Sequence, residues 1–336
     1  MVQKPTTMKK VTIFKSAILA LLACVGIAAC DKNSDVVPDE PETYTVKLGW
    51  AGEILDVSYE PMTRATTDDL YGIQVYSLPK SASSSTDWAP YAYGLFDDPS
   101  NITITLQSNS KYKFVATMIK DGKNKVYKEN DGSYKYPFTI NSLPQKFDNK
   151  FYYDGNNHLH LLGQGFTSLT DEQLYKHPNI ERFYGQLSNY IPSESSNVKI
   201  DMKRTVFGAK FAAGGKLAVD GILVIEMKDA PKMELALTDG DDQISDIFTF
   251  FDLEKAWAKD DYTETIDVTF KRIRTDDTVQ PLGTHAITFK RNTTTVVEVN
   301  IDKDGNDEGV DLEIPDSETG SLADGNTVTI NDGEMQ

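Results

Sequence analysis

Arg64 stands alone in the polar stretch EPMTRATTDD, residues 60–69, between two strand-like runs. It is the first arginine of the chain and the next is Arg182, although 28 lysines are spread along the length. A guanidinium at such a junction is what an arginine-specific protease reads. Cys30 closes the apolar run AILALLACVGIAAC, and the only other cysteine, Cys24, lies inside that run. The chain after Cys30 therefore holds no thiol, which excludes disulfides, thiolate catalysis and cysteine-based metal sites there.

Three other constellations have the residue types for binding. In DKDGNDEGVDLE, residues 302–313, Asp302, Asp304, Asn306 and Glu313 have the oxygen spacing of a calcium loop. Asp307 stands where that loop turns on glycine, and the flanks VVEVNI and VDLEI read as strands, so an acidic hairpin loop is the expectation. In HLH, His158 and His160 share one face of any strand, the geometry of a zinc pair. Structural zinc takes four ligands and no third is evident, so no metal and no cofactor are expected. Trp50, Trp88, Tyr91 and Tyr93 could together stack on sugar rings, which makes a monomeric glycan-binding surface protein the alternative reading; packing within a sheet is the commoner use of such residues. No nucleophile elbow, P-loop, dinucleotide fingerprint or HExxH pattern occurs, and no acid pair stands out among 51 carboxylates. No catalytic residue is assigned, and the chain is not read as an enzyme.

The elements that would hold these residues follow from composition and pattern. At 336 residues, with 39% apolar and 25% charged side chains, the chain is long enough for about two domains with their own cores. A formal charge of −17 disfavours nucleic acid and anionic lipid surfaces as partners. Lys9, Lys10 and Lys15 precede an apolar run too short for a comfortable membrane span, which is the shape of an export signal covering residues 1–29. Its removal takes four lysines and no acid, leaving −21 on the mature chain. Residues 30–43, with the acidic, proline-bearing DKNSDVVPDEPE, read as a solvated tether.

Period-two alternation dominates the remainder. YTVKLG, ILDVSYE, LYGIQVYSL, ITITLQ and KYKFVATMIK read as half-buried strands, with Tyr112, Phe114, Ala116 and Met118 on one face. Asp121-Gly122 and Asp131-Gly132 are hairpin-turn signals, and KVYK and YKYPF pair across the second. TDEQLYKH carries a capping box at Thr170 and Gln173 and predicts a short helix. A second series from about Val198 comprises VKIDMKRTVFGAKFAA, GILVIEMK, MELALT, TETIDVTFKRI, HAITFK, TTVVEVNI, VDLEI and NTVTI, with a brief helix at DLEKAWAK. Strand-sized runs without helical crossovers predict an all-β chain of two antiparallel β-sandwich domains, residues 44–193 and 194–336, joined through YIPSESSN.

IAAC, Ile27 to Cys30, resembles the lipobox of bacterial lipoproteins; the resemblance implies that the Cys30 sulfur carries diacylglycerol, cleavage falls before it, and the acyl group is the only membrane contact. The acidic residues after Cys30 resemble a surface-export signal of gut and oral anaerobes. Lipobox, tether, TRA, then DLYGIQVY, with VKIDMKRTVFGAKF opening the second half, resemble the fimbrillin family of lipoprotein pilins. That resemblance implies transthyretin-like sandwiches carried to the outer membrane and cell surface, in a fimbrium. It also implies cleavage of the Arg64–Ala65 bond by an arginine-specific protease, release of residues 30–64, and strand exchange with other fimbrial subunits, a host protein or glycan being a further partner. The donor expected from the family is the C-terminal tail, where GNTVTINDGEMQ supplies only Val328 and Ile330 as apolar strand positions before an acidic, glycine-bearing end. So short a donor would suit an anchor, a tip or a non-polymerising relative.

Overall fold

Alternating side chains turn one face of each strand towards a core, and three buried clusters result. The computed structural model describes residues 41–59, 68–82, 88–161, 174–194, 197–214, 220–238, 242–301 and 323–331, of which 41–331 belong to one compact unit.

The first half contains β1 (Thr43–Ala51), a 3-10 helix (Gly52–Tyr59), β2 (Leu70–Pro79), β3 (Ala89–Phe96), β4 (Thr103–Gln107), β5 (Ser110–Ile119), helix α1 (Gly122–Lys125), β6 (Ser133–Ile140), β7 (Leu143–Lys146), β8 (Asp148–Tyr152), β9 (Arg182–Tyr190) and β10 (Val198–Arg204). Eight of these strands form one sheet in the order β4-β1-β10-β9-β5-β2-β3-β8. All eight contribute to a single cluster that includes Val46, Ile104, Ile200, Phe183, Phe114, Ile73, Phe96 and Phe151, so the sheet curls around its own core. The predicted face of β5, with Tyr112, Phe114, Ala116 and Met118, lies in that core. Its opposite face is buried as well: Val115 and Ile119 meet Phe138 of the β6–β7 hairpin, Leu159, Ile180 and Leu253.

The second half contains β11 (Val206–Gly214), β12 (Gly221–Met227), β13 (Met233–Leu237), β14 (Gln243–Thr249), helix α2 (Leu253–Ala258), β15 (Thr263–Ile273), β16 (Val279–Lys290), β17 (Thr293–Asn300) and β18 (Ala323–Asn331). Sheets β14-β11-β17-β18 and β13-β12-β15-β16 enclose one core that includes Phe207, Phe211, Leu223, Ile225, Phe248, Phe270, Phe289 and Val297. The architecture is all-β, as the alternation predicts. Asp252 caps α2 by accepting a bond from the Lys255 N–H at 2.9 Å. Leu253 faces the outer side of the eight-stranded sheet while Ala256 faces the second core, so α2 is wedged between the halves.

Several local expectations change. ILDVSYE is not a strand: pairing of β1 with β10 stops at Ala51, Gly52 turns the chain with φ of 78°, and a 3-10 helix follows. Asp121-Gly122 starts α1, with Asp121 left-handed at φ of 55°, and does not close a hairpin. At Asp131-Gly132 the expected pairing is reduced to an isolated bridge, Lys128 to Tyr134. Thr170 and Gln173 of the predicted helix lie outside the described residues, and 174–177 are not helical. The strand at 198–204 pairs with β1 and β9, so the change of sheet falls between Arg204 and Val206 and not at 193/194.

Candidate functional site

β1 lies inside the eight-stranded sheet, between β4 and β10. Its first five residues pair antiparallel with β4, from Thr43 opposite Gln107 to Lys47 opposite Thr103. Its last four pair parallel with β10, from Leu48 opposite Val198 to Ala51 opposite Asp201. Among the described residues β4 reaches the sheet only through β1. Val46 and Leu48 are each 1% exposed in the core, with Tyr44 and Trp50 packed at its margin. Trp50 also stacks obliquely on Tyr71, and its indole N–H donates to the Pro99 carbonyl at 3.1 Å.

The 3-10 helix that follows β1 carries Glu53, whose carboxylate closes a charged joint between the halves. Arg291 Nη1 donates to Glu53 Oε1 and Oε2 at 2.9 and 2.8 Å, and the Arg204 backbone N–H donates to Oε2 at 2.8 Å. Arg291 Nη1 also bonds the Arg204 carbonyl at 3.0 Å, while Arg204 Nη2 meets Glu181 at 3.0 Å. The Arg291 side chain is 4% exposed; its other carboxylate neighbour, Asp260, is 79% exposed at 3.5 Å and already holds Lys203 at 2.6 Å. Glu53 is thus the main counter-charge of a buried guanidinium. Sequence reasoning missed this set, because 238 positions separate Glu53 from Arg291 and no spacing rule links them.

A second polar cluster borders a cavity of about 230 Å³ lined by residues including Lys176, His177, Lys228, Asp229 and Glu264. His177 Nδ1 lies 3.2 Å from the Thr249 carbonyl and Nε2 lies 3.5 Å from Glu264. Burial holds the His177 imidazole below its ordinary pKa, with Lys176 adding to the effect and the Thr249 carbonyl and Asp229 opposing it. Burial pushes the Glu264 carboxyl up. A histidine with a depressed folded-state pKa binds a proton more readily when unfolded; its contribution to stability is complete above about pH 6.5 and is lost as pH falls below that value. A carboxyl with a raised pKa has the opposite sign, its contribution being present at low pH and lost as pH rises through the folded value. Urea unfolding between pH 5 and 8 should therefore show a fall in stability below about pH 6.5 that is shallower in His177→Gln, and Glu264→Gln should be more stable than the wild type at pH 7. Equal slopes in wild type and His177→Gln would refute the assignment.

The other sequence candidates do not converge. Trp50 and Tyr91 pack against the inner core, whereas Trp88 and Tyr93 pack against the outer cluster, so the four aromatics form no single sugar platform. Tyr91 donates to the Thr105 carbonyl at 2.8 Å, and Tyr93 stacks on Tyr152. His158 and His160 have near-parallel rings 6.4 Å apart, while His177 belongs to the cavity just described. No group of three or more metal-ligating side chains occurs among the described residues. Cys30, Arg64, Ala65 and the 302–313 loop lie outside the described residues.

No protein-family model and no curated protein matches the chain. Solved structures similar to it include a candidate adhesin of Bacteroides ovatus, at 13% identity and a TM-score of 0.36, covering 86% of this chain and 99% of that one. A fimbrial anchor protein of Porphyromonas gingivalis matches at 8% identity and a TM-score of 0.30, covering 74% and 82%. A fimbrial assembly protein of Parabacteroides distasonis matches at 10% identity and a TM-score of 0.25, covering 72% and 100%.

Proposed function

We propose that this chain is a lipid-anchored adhesin or fimbrial subunit of the outer-membrane surface, whose N-terminal ribbon is removed at Arg64–Ala65 so that another subunit can insert a strand in its place. The observation that carries the reading is the position of β1, which among the described residues alone joins β4 to the rest of the sheet and which fills the core with Val46 and Leu48. Departure of residues 30–64 would leave two rows of unpaired backbone groups and an apolar cleft between them. Such an edge is completed by strand addition, where main-chain bonds supply affinity and alternate pockets supply specificity. The role is assembly at the surface, with Cys30 as the acylated anchor and no chemistry assigned to the chain itself. The edge strand β18, paired parallel with β17, places residues 323–331 in a sheet of the chain's own second half.

Treatment of the folded mature protein with trypsin or an arginine-specific protease tests the reading. The expected products are a cut after Arg64, loss of the ribbon on dilution and oligomers that resist SDS. A chain that stays uncut at Arg64, or is cut and persists as a folded monomer at high concentration, would overturn it.

A further inference from the structure

The joint at Glu53 lies on the segment that this reading removes, and its partners lie on the segments that stay. Release of residues 30–64 would strip Arg291 and the Arg204 N–H of the carboxylate they now share. A buried guanidinium without its counter-charge is costly, and Asp260 is too exposed and too engaged with Lys203 to replace Glu53. Gly52 adds a steric requirement. Its φ is 78°, and a Cβ there would lie 2.1 Å from Asp201 Oδ1 and 2.9 Å from the Met202 carbonyl.

We infer that the slot left by β1 is charge-selective and admits a strand of another chain whose alternating apolar residues are followed by glycine and then an acidic residue. Resting on the strand-release reading, the inference specifies the partner. Taken from the present occupant, the pattern is apolar at the positions of Tyr44, Val46, Leu48 and Trp50, glycine at Gly52 and a carboxylate at Glu53, with the strand parallel to β10. The chain's own tail does not meet it. With Ile330 in the place of Trp50, Asp332 falls on the glycine position and Gly333 on the acidic one, so a tail from a second copy arrives out of step. The side chain at the second position after the last apolar residue decides admission, because there the incoming backbone must pass Asp201 closely before its carboxylate can reach Arg291.

The test uses the full mature chain, nicked after Arg64 by trypsin or at a specific protease site inserted there. Fluorescent peptides of residues 41–59 are added and their entry is followed by anisotropy. The native peptide should exchange into the nicked protein. Its Glu53→Gln form should bind about 30-fold more weakly, equivalent to about 2 kcal/mol, because glutamine offers Arg291 and the Arg204 N–H one acceptor oxygen in place of two and no counter-charge. Gly52→Ala should weaken entry at least as much, and a peptide of residues 323–336 should enter poorly. In Arg291→Met protein the native and Gln peptides should bind alike. A Gln peptide within twofold of the native one, or a tail peptide equal to it, would overturn the charge selectivity and leave strand release standing. If no peptide enters and native and Val46→Asp forms are indistinguishable, strand release fails and the inference fails with it.

Discussion

Phe207→Ala should destabilise the protein by about 4 kcal/mol and lower its melting temperature by roughly 10 °C, among the largest effects available to a single truncation in this chain. Phe207 is fully buried at the start of β11. Its ring centroid lies 4.6 Å from that of Phe289, 4.8 Å from Phe250 and 5.7 Å from Phe248, and 6.1 Å from the imidazole of His177. Four neighbours on β16, on β14 and the turn after it, and on the segment entering β9 cannot all close onto an alanine. The lost transfer energy is therefore accompanied by a residual cavity. Val279→Ala, at a position 58% exposed, is the control and should stay within about 0.5 kcal/mol of the wild type. Denaturant unfolding followed by tyrosine and tryptophan fluorescence measures both; a cost below about 1 kcal/mol for Phe207→Ala would show that the aromatic cluster can collapse around the gap.

Glu53→Ala should cost about 3 kcal/mol in the intact chain, most of it the penalty of leaving the Arg291 guanidinium buried and uncompensated. Adding Arg291→Met should recover a large part of that loss, because removing both partners of a buried pair is far milder than removing one. The double-mutant cycle separates this from a simple packing defect. Additive losses would show that Glu53 and Arg291 are not energetically coupled. Surface pairs such as Lys232–Glu234, with side chains 54% and 48% exposed, give the contrasting case and should show no comparable coupling.

Where the sequence was misread, competing local forces explain it. QISDIFT, which forms β14, does not read as a strand because Asp246 interrupts the apolar alternation; in the fold its carboxylate accepts a bond from Asn179 at 2.9 Å, which makes an acid acceptable there. The first half of β16 contains Pro281 and Gly283, both discouraging for a strand, and the pairing with β15 accommodates them through a register shift at Phe270/Lys271. The β6–β7 hairpin turns through Asn141 and Ser142, at φ of 45° and 69°, without the Asn-Gly signature that would have marked it. ILDVSYE has the alternation of a strand but follows a glycine whose positive φ redirects the chain.

By itself the sequence determined the all-β class, the two series of strands, the inward face of β5, the brief helix α2 and the thiol-free chain beyond Cys30. These depend on periodicity of two and on composition, both of them local. Only the tertiary structure decided that β10 joins the first sheet, that β1 is, among the described residues, the sole bridge to β4, and that Glu53 neutralises Arg291. Alternation states which face of a strand is buried and is silent on which strand lies beside it. Neighbours are chosen by backbone edges and buried charges that meet only after residues 238 positions apart are brought together.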